Sequence, residues 1–398
     1  MKNVMRDINI ILFCFLILLT PNLYSQQNTG NPPQKETVPD ENIPDTLITK
    51  KKDTYWERLI NGNVDRSFEK RIDISFAGAP SYTREASFGI GGMATGLYRL
   101  DRTDSVMSPS DITLVLNASI KGFFALEAKG NNNFKGRKSL LSYEIGLTRK
   151  PLDFWGISYD ACNINPVTSY TRRQLKIDAN YQYNLHQYFA VGAVFDFTFS
   201  NISKIDSIEY LEGQKLSYTA TGLGVSLKYD SRDFIPNPSK GVYLMFRQTI
   251  FPDILGNTER TLYRTTFIAD TYLKVWRGGL LAFDLFGQFN SNNSPWPLRE
   301  ELGGNQRMRG YYSGRYIDNN IISGQVELRQ HLIDRFGFTT WVGGGTVFPT
   351  IKKLNMKNVL PNYGVGLRFE VKHNVNARVD YGFGKDTGGF VFNISEAF

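Results

Sequence analysis

The stretch Leu302-Gly303-Gly304-Asn305-Gln306-Arg307-Met308-Arg309-Gly310-Tyr311-Tyr312 decides how this chain is read. It lies in a long connection between two segments whose residues alternate between apolar and polar. In the second segment Ile322, Val326 and Leu328 alternate with Ser323, Gln325, Glu327 and Arg329. A charged Arg-Gly-aromatic tip, with a carboxylate on the polar face of the next strand, implies a loop folded inward against the wall of a barrel. Gly310 permits a sharp turn, and Arg309 then offers a planar, two-pronged partner to Glu327. Tyr311 is expected to pack on the wall, with Gly303 and Gly304 supporting the loop.

The same alternation extends through most of the chain. Leu175, Ile177, Ala179, Tyr181 and Tyr183 share one phase, and Gln174, Lys176, Asp178, Asn180 and Gln182 share the other. A period of two is the strand signal, and it recurs from Tyr263 to Val275. Strands are predicted at 86–99, 111–119, 122–130, 138–148, 152–160, 172–183, 187–198, 217–229, 241–250, 262–275, 279–289, 320–331, 337–348, 361–371, 375–382 and 389–397. Short turns fall near Lys121, Lys150, Leu185, Gly278, Arg335 and His373, with 230–240 somewhat longer. Longer connections lie between them, at 100–110, 131–137, 161–171, 199–216, 251–261, 290–319 and 349–360, while the last, 383–388, is short. Short turns on one rim and long loops on the other mark outer-membrane barrels. The expected fold is therefore all-β, a 16-stranded antiparallel transmembrane β-barrel with a long extracellular loop folded into the lumen. An even strand count places both termini in the periplasm. Residues 71–79 are strand-like, but counting them breaks the parity, so 71–85 is expected as a periplasmic lead-in and 86–398 as the barrel.

Composition fits either a soluble all-β protein or a membrane barrel, and the loop pattern favours the barrel. Aromatic residues make up 14% and the net charge is +8, spread along the chain. Residues 1–25 read as a signal peptide. Lys2 and Arg6 precede the apolar run Ile8–Leu19, and cleavage is expected after Ser25. Cys14 lies inside that run, so Cys162 is the one cysteine of the mature chain, and no disulfide or zinc spacing is available. Beyond the signal no segment approaches the roughly 20 apolar residues that a membrane helix needs. Residues 26–70, with Pro32, Pro33, Pro39, Pro44 and the run Lys50-Lys51-Lys52, read as a disordered periplasmic linker. No Gly-x-Ser-x-Gly elbow, phosphate loop or metal constellation is present, so the chain is not expected to be an enzyme. No cofactor or metal is expected, and His186, His331 and His373 read as structural.

With these residues in hand, the chain resembles the BamA/TamA superfamily of outer-membrane assembly proteins, also called bacterial surface antigens. Arg309-Gly310-Tyr311 lies between the eleventh and twelfth predicted strands, and five strands follow the loop. Asp230-Ser231-Arg232-Asp233 resembles the family's turn between strands 8 and 9, and Val326-Glu327-Leu328-Arg329 its strand-12 motif. The resemblance covers most of residues 210–398. It implies a lumen latch made by Arg309, Gly310, Tyr311 and Glu327, a periplasmic turn built on Asp230, Arg232 and Asp233, and a weak seam between the first and last strands. Gly89, Gly91 and Gly92 are expected on the first of these. Phe392 and Phe398 are expected on the last, where Phe390, Phe392, Ile394 and Phe398 share the lipid-facing phase. Gly343 stands where the family carries a second acid, which leaves Glu327 as the expected partner of Arg309. The segment before the barrel is linker-like, so the family's polypeptide-transport-associated domains are not expected there.

The function implied by the resemblance is assistance in inserting or translocating outer-membrane or surface proteins, together with a partner. The alternatives are a structural or accessory barrel subunit of an envelope complex, or a passive solute pore. Expected partners are outer-membrane lipid and other envelope proteins or a second copy of the chain, not nucleic acid.

Overall fold

The computed structural model describes residues 67–83, 85–104, 107–372 and 375–398. The expected signal peptide, the linker through residue 66 and His373 lie outside the described residues. The strands in chain order begin with β1 (Asp73–Thr83), β2 (Ser87–Tyr98), β3 (Ser110–Ser119), β4 (Phe124–Asn133), β5 (Ser139–Phe154) and β6 (Thr168–Asn184). β7 (Phe189–Ser203), β8 (Ser217–Asp230), β9 (Gly241–Phe251), β10 (Leu262–Trp276) and β11 (Gly279–Asn290) follow. β12 (Glu300–Leu302) and β13 (Tyr316–Asp318) pair as a small separate ribbon. β14 (Asn320–Ile333), β15 (Phe336–Phe348), β16 (Leu360–Lys372), β17 (Val375–Gly384) and β18 (Thr387–Ile394) complete the set. All but β12 and β13 form one 16-stranded antiparallel sheet in which each strand pairs with its chain neighbours. The order runs from β1 to β18, and no ladder joins those two ends among the described residues.

The sheet is built inside out relative to a soluble sandwich. Along β16, Val365 and Leu367 are 58% and 67% exposed, whereas Asn362 and Arg368 are 1% and 4% exposed. Apolar side chains thus face outward and polar ones inward, the arrangement that lipid outside and water or protein inside select. Contacts between distant strands show that the sheet curves around a lumen. Phe398, beyond β18, stacks obliquely on Tyr272 of β10, and Glu85, between β1 and β2, accepts a hydrogen bond from Ser313 N. The water-driven cores lie at the rim that carries the long connections. There Phe154, Tyr170, Leu211, Trp296, Tyr312 and Ile317 pack together, with α1 (Tyr159–Ile164) seated close by.

The N-terminal quarter corrects the expectations. No turn exists at Lys150: the predicted strands 138–148 and 152–160 are largely one strand, β5, in which Lys150 pairs with Arg172 and Pro151 with Thr171. The β4 ladder ends at Arg149, so Pro151 falls where only one flank is paired and a missing N–H is tolerated. Residues 71–79, expected as a lead-in, mostly belong to β1, with Ile74 and Phe76 outward and Ser75 half-buried. One strand too many and one too few leave the count unchanged, but they invert the first hairpins. The connection 99–109 now shares a rim with the short turns 185–188 and 277–278, while 120–123 joins the long-loop rim. Gly89, Gly91 and Gly92 consequently sit on β2, opposite Ser81, Ala79 and Gly78 of β1, and not at the sheet edge.

The chain's end differs as well. β18 stops at Ile394, Ser395 adopts φ +76°, and Glu396, Ala397 and Phe398 turn into the lumen. Phe392 stays on β18, paired with Val379, but Phe398 is not on the lipid face. Continuing the strand would place Glu396 in the outward phase of Phe390, Phe392 and Ile394. A carboxylate facing lipid is costly, whereas inside the lumen Glu396 finds arginines.

Candidate functional site

The connection between β11 and β14 folds into the lumen and brings Arg309 to the inner faces of β14, β15 and β17. Its guanidinium donates from Nη2 to Glu327 at 2.5 Å and to Gln325 at 3.2 Å, and from Nη1 to Asp380 at 2.8 Å. It also stacks 3.6 Å from the centre of the Trp341 ring. Asn362 accepts from Trp341 Nε1 and donates to the main-chain oxygen of Arg309, fixing both. Arg309, Glu327 and Asp380 have no solvent-exposed surface.

Asp380 corrects the expectation of one carboxylate partner. The second acid comes from β17, two strands beyond β15, in register with Thr339 and not with Gly343. Gly343 itself packs against the backbone of Gly324 and Gln325, where a Cβ would collide. Asp380 also receives Arg368 and Arg378, each at 2.6 Å. From Arg368 the network continues to Glu396 at 2.8 Å, then to Arg329 at 3.6 Å and back to Glu327 at 2.7 Å. Arg309, Glu327, Arg329, Glu396, Arg368 and Asp380 thus form a closed ring of alternating charge, with Arg378 attached. Four guanidiniums face three carboxylates. The ring joins the loop tip, β14, β16, β17 and the tail after β18.

The rest of the loop is fixed by shape and hydrogen bonds. Gly310 has φ +96°, and a Cβ there would strike the main-chain oxygen of Gly382 on β17. A Cβ at Gly384 would in turn strike the Tyr311 ring. Tyr311 donates to Pro361 O at 2.8 Å and accepts from Lys385 N at 2.7 Å. Arg307 forks onto Asp284 of β11 at 2.6 to 3.0 Å. Gly303 and Gly304 also have left-handed φ values, and only Gly303 is crowded, against Tyr312 O. The loop leaves part of the lumen open, a cavity of about 500 Å³ beside Lys150, Arg172, Glu300 and Glu301.

At the opposite rim Asp230 and Arg232 form a two-pronged pair at 2.9 Å for both bonds. Asp233 accepts from Ser239 N at 2.8 Å, closing the turn, and Arg232 lies over Tyr243. Glu396 N donates to Pro236 O of the same turn, so this connection touches the tail that completes the ring. Sequence reasoning missed Asp380, Arg368, Arg378 and Glu396. A signal was present: Arg368, Arg378 and Asp380 occupy the inward phase of their strands, as do Gly382 and Gly384, which leave room for a backbone.

Cys162, on α1 in the loop cap, is fully buried, and burial pushes its thiol up to about 11. A thiol kept protonated and out of water is inert. The folded protein is therefore expected to leave Cys162 unmodified by a water-soluble maleimide, with complete labelling after denaturation, as peptide mass spectrometry would read. Labelling of the native protein at the rate of a free thiol would contradict this burial.

A family model for the Omp85 superfamily domain matches residues 128–398. Among solved structures, BamA from Haemophilus ducreyi lacking POTRA domains 1-3 aligns with a TM-score of 0.55 at 12% identity, covering 82% of this chain and 70% of that one. CdiB from Escherichia coli gives 0.57 at 11% identity, covering 82% and 63%. CdiB from Acinetobacter baumannii gives 0.53 at 11%, covering 82% and 60%. The chain spans less than two thirds of either CdiB structure, and at these identities the likeness carries the fold alone. No curated protein matches the sequence.

Proposed function

The chain belongs to the Omp85 superfamily, whose members are outer-membrane barrels, and from that premise we propose that it assists insertion or translocation of outer-membrane or surface proteins with an envelope partner. The observation that carries this reading is that, among the described residues, no ladder joins β1 to β18, the two ends of the sheet. A free edge presents main-chain donors and acceptors that an incoming strand can complete. Here β1 spans eleven residues and β18 eight. In this reading the Arg309 loop is a latch that keeps the lumen occupied while the edges exchange partners, and the rim bearing the Asp230–Asp233 turn faces the periplasm.

Paired cysteines that oxidise between β1 and β18 test the proposal, since buried Cys162 will not compete for them. Oxidation is expected to abolish assembly of client barrels, and reduction to restore it. Full client assembly by the locked protein would reject the insertase and leave an accessory subunit.

A further inference from the structure

The connection Pro349-Thr350-Ile351-Lys352-Lys353-Leu354-Asn355-Met356-Lys357-Asn358-Val359, between β15 and β16, differs in charge from three other connections on the long-loop rim. The connections 155–167, 204–216 and 252–261 each carry a net charge of −1, whereas 349–359 carries three lysines and no acid. Two single 3-10 turns shape it, Ile351–Lys353 and Met356–Asn358. Its lysines are exposed, and no ion pair among the described residues engages them. Its apolar side chains are also uncovered, with Ile351 68% and Met356 74% exposed. The connections 155–167, 204–216 and 291–319 bury Ile157, Leu211, and Trp296, Tyr312 and Ile317 in a shared core; this one buries almost none.

The loop rises directly from the lipid-facing surface. Beneath it, Val342, Tyr363 and Val365 point outward. Beside it, Tyr363 stacks on Phe383 at 5.3 Å, and Tyr381 meets Phe390 edge-on at 4.6 Å. Aromatic groups so placed mark the interface between hydrocarbon and headgroups. Apolar groups interleaved with lysines at that level match a surface that is apolar below and anionic above.

We propose that residues 349–359 dock onto the phosphate-bearing anionic headgroups of the surrounding bilayer, with Lys352, Lys353 and Lys357 on the phosphates and Ile351, Leu354 and Met356 entering the acyl boundary. The proposal rests on the barrel reading above but not on any handling of clients. It ties the rim to lipid on the same side of the sheet as β18.

The test is limited trypsin digestion of the full chain in nanodiscs, which contain no client, so its result is independent of the strand-locking experiment. Cleavage after Lys352, Lys353 and Lys357 is expected to slow roughly ten-fold when phosphatidylglycerol replaces part of the phosphatidylcholine, and to recover at high salt. Cleavage after Arg260, on another loop of the same rim, should stay unchanged. A variant with Ile351→Ser and Met356→Ser keeps every cleavage site and should lose most of the protection. Equal cleavage in both discs would overturn the proposal. So would equal slowing at Arg260, or the same protection from inorganic phosphate in neutral discs.

Discussion

Replacing Arg309 with alanine is expected to free the lumen loop and destabilise the barrel by about 3–5 kcal/mol. The magnitude follows from the complete burial of Arg309, Glu327 and Asp380. An ion pair in such a place is not a large net gain over well-packed apolar groups, because both charges were stripped of water. Removing one partner is different, since the remaining charges keep their desolvation cost and lose their compensation. Glu327 would retain Arg329 and Asp380 would retain Arg368 and Arg378, but both would lose their link to the loop. Two measurements check this. The unfolding midpoint in detergent should fall, and conductance in planar bilayers should rise from little or unsteady to large. Arg309→Lys should lie between, because an ammonium cannot reach two carboxylates and stack flat on Trp341 at once. A wild-type protein with large, steady conductance would overturn the loop as a plug and favour a passive pore.

The second large effect is expected at Asp380. Asp380→Asn keeps the shape but removes the charge on which Arg309, Arg368 and Arg378 converge. Four guanidiniums would then face two carboxylates, and a loss of about 3–5 kcal/mol is expected, comparable with Glu327→Gln. The two sites are coupled through Arg309, so the cost of losing Asp380 should shrink in an Arg309→Ala background. A coupling of about 0.5–3 kcal/mol in a double-mutant cycle is the expected result. Strictly additive costs, or a neutral Asp380→Asn, would mean that Glu327 alone holds the loop.

The contrast between Glu327 and Asp380 shows what was legible in the sequence. Glu327 could be read because its strand alternates cleanly and the Arg309 tip precedes it closely. Asp380 lies 71 positions from Arg309, and its approach depends on sheet curvature and register, which no local pattern encodes. Period-two alternation likewise gave most strands from β6 onward, where polar and apolar phases are cleanly separated. It failed at Lys150-Pro151, because proline usually signals a turn, and only the early end of the β4 ladder makes it acceptable inside β5. It failed again at the tail. Phe398 shares a phase with Phe390 by count, but Glu396 between them makes the extended continuation costly in lipid.

The closed ring also implies an order of assembly. Its links span very unequal lengths of chain: 18 positions from Arg309 to Glu327, 28 from Arg368 to Glu396 and 71 from Arg309 to Asp380. Distant contacts form late, because the entropy of closing long segments must be met first. Until residue 396 is in place, Arg329 has Glu327 and Arg368 has Asp380, but each lacks its further partner Glu396. The loop therefore settles only after β17 has joined the sheet and the tail has turned inward. Locking of the loop becomes a built-in report that the last strand has been laid down.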